Sequence, residues 1–222
     1  MFDLIAPRYD LLNRLTSLGL DQLWRRATVR ALALPANGRV LDLATGTADL
    51  ALMTLRKYPD AQVEGLDPST KMLAIGGEKV RRAQCSESIR LVVGDAQQIP
   101  FPDASFDAVS IAFGVRNLPD RERALREMFR VLRPAGRLAI LELTWPEGHA
   151  LAPFARFHLQ RVVPALGAML SRRQQYDYLR ESIGNFPRPA AFSALIEACG
   201  GALLLTRSFA FGACCLFVAR AR

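Results

Sequence analysis

The acidic side chains of this chain fall where a nucleoside would be held. Asp42 stands in the run RVLDLA (39–44), Asp67 closes AQVEGLD (61–67), and Asp95 ends IRLVVGD (89–95). Each run is short, apolar and β-rich, so three carboxylates gather at the ends of three consecutive predicted strands. An acid ending the second strand accepts both ribose hydroxyls of a nucleoside, and Asp67 follows Asp42 by 25 residues. Asp95, with Ala96 after it, offers an adenine amino group a fixed acceptor. Between the first strand and the next helix lies Thr45-Gly46-Thr47-Ala48, where Gly46 lets the backbone approach a ligand and Thr47 stands beside it. A hydride-carrying dinucleotide is compatible with the acids alone. A pyrophosphate, however, wants a turn free of side chains at several positions, and Thr45 and Ala48 occupy two of them. The turn therefore favours a nucleoside without phosphates, S-adenosylmethionine.

The elements that position these groups alternate. Two further β-runs, FDAVSIAF (106–113) and GRLAILEL (136–143), follow the first three. Between runs lie segments with apolar residues at i, i+3, i+4 and i+7, the helical period. Such alternation predicts an α/β, Rossmann-like fold, and nearly continuous apolar strands suit a parallel sheet covered by helices on both faces. Ser69 is placed to cap the helix after Asp67-Pro68, and Asp120 falls near the start of another. Pro134-Ala135-Gly136 is expected to close that helix and turn into the fifth strand. The last 22 residues form two β-runs meeting near Gly212, a closing hairpin with one antiparallel strand, for seven strands in all. Residues 1–34 read as an N-terminal helical lid and 145–200 as a helical substrate cover, within one domain over 1–222.

The bulk composition narrows the function classes. With 222 residues, 50% apolar and 23% charged, the chain is that of an ordinary globular domain rather than a disordered one. Its net charge of +8 is scattered, and solubility, attraction to an anionic membrane surface and nucleic-acid binding compete to explain it. No Asn/Asp-Pro-Pro-aromatic segment follows the fourth strand and no basic tail is concentrated, which disfavours nucleic acid. Cys85, Cys199, Cys214 and Cys215 have no Cys-x-x-Cys spacing, and with only His149 and His158 no metal site is expected. No secretory leader and no 18-residue apolar span are read, so a cytoplasmic protein is expected.

Several motifs then share one resemblance. They are Tyr9-Asp10-Leu11-Leu12-Asn13 with Trp24-Arg25, Phe113-Gly114-Val115-Arg116-Asn117, Arg130–Leu138 followed by Leu141-Glu142, and the stretch from Tyr176 to Pro187. Together, over about residues 2–200, they resemble the C-methyltransferases of menaquinone and ubiquinone biosynthesis. The chain departs from that pattern at Asp21, usually histidine, at Thr45, Ala48 and Ala135, usually glycine-rich positions, and at Ala112, often serine. The resemblance implies methyl transfer from S-adenosylmethionine to a ring carbon of a prenylated quinol, demethylmenaquinol ahead of the ubiquinone precursor. It implies a cofactor contact through the backbone of Ala112. It also implies that Arg116 stabilises the developing phenolate, directly or through a water, and that Asn117 orients the hydroxyl. The competing structural role for Arg116 is a pair with Asp120 or Glu122. Tyr9 from the N-terminal helix and Tyr178 from the C-terminal helices either close over substrate or serve as core or surface aromatics, and His158 is the one imidazole placed to act as a base, against a capping or packing role that its segment favours. Residues 150–173 mix apolar and basic side chains, as a prenyl groove at an anionic leaflet would, or as a plain amphipathic cover would. A homodimer, another small-molecule acceptor and a non-catalytic cofactor-binding module all stay open.

Overall fold

The strands of this chain are apolar on both sides because both sides are covered. A computed structural model describes residues 14, 17–147, 151–157 and 174–222. Its seven strands form one sheet in the order β3-β2-β1-β4-β5-β7-β6. The elements run α1 (Asp21–Leu32), β1 (Arg39–Leu43), α2 (Asp49–Lys57), β2 (Gln62–Asp67), α3 (Thr70–Arg82), β3 (Ile89–Val93) and β4 (Phe106–Ala112). A 3-10 turn (Val115–Asn117) then leads to α4 (Arg121–Val131), β5 (Leu132–Leu143), α5 (Ala152–Phe157), α6 (Gln174–Gly184) and α7 (Pro189–Ala198). The chain closes with β6 (Gly201–Phe209), a second 3-10 turn (Ala210–Gly212) and β7 (Cys214–Ala221).

Neighbouring strands from β3 to β5 are parallel, while β7 runs antiparallel to both β5 and β6. The expected fold and the closing hairpin are therefore borne out. Alternation along the strands splits the core in two. Leu41, Leu43, Val109 and Ile111 point into one cluster with Leu125 and Met128 of α4 and Phe192 and Ile196 of α7. Val40, Ala108, Ala139 and Leu141 point into the other with Trp24 and Leu32 of α1, Leu50 of α2 and Val80 of α3. Helices thus cover both faces, and burying each large apolar side chain contributes roughly 1.5–3 kcal/mol.

The predicted caps are present. The Ser69 hydroxyl accepts from the Met72 amide at 3.1 Å, and the Asp120 carboxylate from the Arg123 amide at 2.9 Å. Each satisfies an orphan amide of the first turn, worth about 1 kcal/mol. One boundary differs from expectation. β5 begins at Leu132, directly after α4, so Pro134-Ala135-Gly136 lies inside the strand. Pairing jumps there from Phe106–Leu132 to Ala108–Arg137, a bulge. Gly136 is required at that bulge, since a Cβ would stand 2.8 Å from the Arg133 carbonyl oxygen. Among the described residues no helix is long and apolar enough to cross a membrane. Parts of the predicted lid and cover, with Tyr9 and His158, lie outside the described residues.

Candidate active site

The turn after β1 holds three left-handed residues in five. Ala44, Gly46 and Ala48 have φ of 48°, 57° and 63°. Glycine adopts this region freely, whereas each alanine costs about 1–2 kcal/mol. Surrounding groups hold the turn in that shape. The Asp42 carboxylate accepts from the Thr45 hydroxyl and from the Ser110 hydroxyl of β4, both at 2.7 Å. The Asp67 carboxylate accepts from the Gly46 amide at 2.9 Å and from the Ser69 amide at 2.8 Å. Lys79 of α3 donates to the Thr47 hydroxyl at 2.9 Å and to the Asp49 carboxylate at 2.7 Å.

The three acids therefore occupy different situations. Asp67 closes β2 at the sheet edge, its carboxylate oriented by two amides. A carboxylate has about four acceptor sites, so a ribose diol can share the same oxygens. Asp95 lies just beyond β3, exposed, and accepts from the amide and side chain of Gln97. Ala96 beside it and Ala112 at the end of β4 are buried. Asp42 sits one residue inside the end of β1, paired between Gly65 and Ser110. Both its oxygens are held by hydroxyls, so its side chain braces the turn. Burial pushes its carboxyl up to about 6, only partly countered by Thr45 and Ser110.

The donor set of the turn also distinguishes between cofactors. The Thr45 amide donates to the Leu66 carbonyl, the Ala48 amide to the Thr45 carbonyl, and the Gly46 amide to Asp67. These three amides are thus committed within the protein and do not face a pyrophosphate. A buried-edge carboxylate beside a turn with those amides engaged suits a phosphate-free nucleoside. Among the described residues no three His, Cys, Asp or Glu side chains gather as a metal site requires.

A second cluster lies past the end of β4, where Phe113 has a φ of 61°. Its amide donates to the Leu141 carbonyl, and its carbonyl accepts from Arg116 Nη1 at 2.6 Å. Arg25 lies 5.0 Å over the Phe113 ring. Arg116 is nearly buried, and it pairs with Glu142 of β5 rather than with either predicted partner. Nη1 reaches Glu142 Oε1 at 2.8 Å, and the Arg116 amide donates to Oε2 at 3.0 Å. Asp120 and Glu122 are engaged elsewhere, in the α4 cap and in a pair with Arg126. Glu142 has no solvent exposure and also accepts from the Leu143 amide. Arg116 Nε is buried without a hydrogen-bond partner among the described residues. Asn117 Oδ1 accepts from the Tyr178 hydroxyl of α6 at 3.0 Å. Two residues 61 apart in sequence, both singled out in the sequence, are thus brought together beside Arg116.

Glu142, Ser110 and Lys79 were not identified as site residues from the sequence. A signal existed for the first two, because a polar residue inside a fully apolar strand must find a buried partner. Lys79 looks like any helix-surface lysine.

Solved structures share this architecture at low sequence identity. A SAM dependent methyltransferase from Aquifex aeolicus superposes with a TM-score of 0.65 at 17% identity, covering 89% of each chain. That likeness establishes the fold alone. Sequence relatives lie nearer. The demethylmenaquinone methyltransferase of Thermus thermophilus is 48% identical over 201 residues, 90% of each chain. The ubiquinone/menaquinone biosynthesis C-methyltransferase UbiE of Geotalea daltonii is 41% identical, over 90% of this chain and 86% of its own. The family model described as ubiE/COQ5 methyltransferase matches residues 1–220, taking in the β1 turn, the Arg116–Asn117 turn and Tyr178 alike. With agreement running the length of the chain and through both clusters, the protein belongs to the ubiE/COQ5 methyltransferase family.

Proposed function

We propose that this enzyme transfers a methyl group from S-adenosylmethionine to a ring carbon of a prenylated quinol, with demethylmenaquinol its first substrate. The observation that carries this reading is the 48% identity, over nine-tenths of both chains, to a protein named demethylmenaquinone methyltransferase. The phosphate-free donor pattern of the β1 turn supports the choice of cofactor. When bound, S-adenosylmethionine supplies an electrophilic methyl group on a sulfonium sulfur.

The chain's own residues do the rest by position and field. Asp67 accepts the ribose hydroxyls, the Asp95–Ala96 segment borders the adenine, and Gly46, Thr47 and the Ala112 backbone border the remainder. A quinol ring carbon becomes nucleophilic as a ring hydroxyl loses its proton. Arg116 and Asn117 then meet the developing phenolate. Glu142 offsets much of the Arg116 charge, so Arg116 contributes a directed N–H, its unpartnered Nε, more than a free positive charge. A guanidinium offers donors and no acceptor, so water takes the hydroxyl proton. With the cofactor bound, the new carbon–carbon bond would form as the carbon–sulfur bond breaks, the sulfur leaving as a neutral thioether and the ring proton passing to water. Asn117, held by Tyr178, orients the hydroxyl so that ring carbon and methyl lie roughly 3–3.5 Å apart. Tyr9 and His158, outside the described residues, complete the substrate side in this reading.

The same reading includes peripheral contact with the membrane that holds the quinol. Phe154 and Phe157 of α5, Leu151 before it and Phe211 in the β6–β7 turn are exposed apolar side chains, and α5 packs against that turn. An apolar face beside Arg156 on a chain of net charge +8 suits an anionic leaflet.

The deciding experiment is methyl transfer from labelled S-adenosylmethionine to demethylmenaquinol and to the ubiquinone-type methoxybenzoquinol, side by side in detergent. Product from demethylmenaquinol is expected. No product from either, with the cofactor bound, would overturn the acceptor.

A further inference from the structure

Helix α3 is the bed on which the β1 turn rests. Its residues Met72, Gly76 and Lys79 recur at i, i+4 and i+7 and so share one face. All three meet the turn. A Cβ at Gly46 would stand 3.3 Å from Met72 Cε, and a Cβ at Gly76 would stand 3.2 Å from the Gly46 carbonyl oxygen. Gly76 therefore brings the helix backbone close beneath the turn. Lys79 follows three residues later and reaches up to Thr47 and Asp49.

The two residues it holds flank Ala48, whose φ is 63°. An alanine does not keep this conformation by its own preference, since its Cβ crowds the neighbouring carbonyl. Ammonium donors reaching across it fix the turn from both sides. Asp49 opens α2, and the lysine also offsets the charge of this part-buried carboxylate. A lysine on a neighbouring helix thus maintains the backbone shape that glycine would otherwise allow.

We propose that Lys79 is a positioning residue for the cofactor, clamping Thr47 and Asp49 so that the β1 turn is already in its receiving shape. This rests on the cofactor reading above, and the two fail separately. Titration of the wild-type enzyme with S-adenosylmethionine by calorimetry tests the cofactor itself. The same titration of Lys79→Met and Lys79→Arg tests the clamp.

Lys79→Met keeps the length of the side chain and removes both charge-assisted bonds. Its affinity for S-adenosylmethionine should fall about tenfold, the scale of one such bond. Lys79→Arg keeps the charge and should recover most of the loss. In turnover, KM for the cofactor should rise while KM for the quinol stays unchanged, a split that general loosening of the fold would not give. Wild-type cofactor affinity in Lys79→Met would overturn the proposal, even with a lowered melting temperature. So would equal rises in both KM values.

Discussion

Asp42 and Glu142 are both carboxylates with almost no solvent exposure, yet they lie on opposite faces of the sheet and are satisfied by opposite means. Asp42 receives two neutral hydroxyls, from Thr45 and Ser110, with Arg25 acting on it only at longer range. Glu142 receives a guanidinium and two backbone amides. Hydroxyls leave a buried charge expensive, so the carboxyl of Asp42 titrates near 6. A guanidinium at 2.8 Å offsets the charge itself, and the bond geometry then fixes where the arginine stands. The β1 turn is thus braced by a buried carboxylate held by neutral hydroxyls, with the part-buried Lys79–Asp49 pair beside it, and the β4 turn by a buried ion pair. That division matches the two jobs. In the function proposed above, the first turn receives the nucleoside and the second faces an oxygen that becomes anionic.

The most severe test of the contrast is to remove one member of the ion pair. Glu142→Ala leaves the Arg116 charge buried and uncompensated, and a loss of about 3–5 kcal/mol in unfolding free energy is expected. Urea denaturation measures it. The double variant with Arg116→Met should regain much of the loss, because no lone charge remains. A coupling under about 0.5 kcal/mol in that double-mutant cycle would show that the pair does not hold the turn.

At Asp42 the effect is smaller and depends on pH. In the folded state this carboxyl titrates at about 6, above its ordinary 3.8. Between those values the folded chain binds more protons than the unfolded chain, so Asp42 lowers stability as pH rises. The penalty grows as pH rises through about 6 and levels off about one unit above it. Asp42→Asn does not titrate and escapes it. Relative to wild type, the variant should therefore be about 2 kcal/mol better off at pH 8 than at pH 4.5. A difference that stays constant across that range would mean that Asp42 is not the strained carboxylate described above.

The two regions also differ in how far the sequence discloses them. The strands and the Ser69 cap follow from local chemistry, since apolar runs and a capping serine act within a few residues of themselves. The Arg116–Glu142 pair spans 26 positions and joins the turn after β4 to β5, so only the folded register selects Glu142 over the nearer Asp120 and Glu122. Ser110 was half legible. A serine amid DAVSIAF must find a polar partner, but that the partner is Asp42 depends on β1 lying beside β4. The bulge at Pro134-Ala135-Gly136 read as a loop because proline and glycine signal turns equally in both settings. Lys79 was illegible, because nothing about a helix lysine announces which turn lies above it.

The gentlest probe acts where α6 meets the β4 turn. Tyr178→Phe removes only the hydroxyl that donates to Asn117. A part-buried hydrogen bond of this kind contributes roughly 0.5–1.5 kcal/mol, so stability should change little. If Tyr178 holds Asn117 against the substrate hydroxyl, KM for the quinol should rise severalfold while KM for the cofactor stays constant, the reverse of the pattern expected at Lys79. Asn117→Ala should then make Tyr178→Phe nearly silent, because the hydroxyl has lost its acceptor. Additive losses in the double variant would assign Tyr178 its own contact with substrate and separate the two residues' roles.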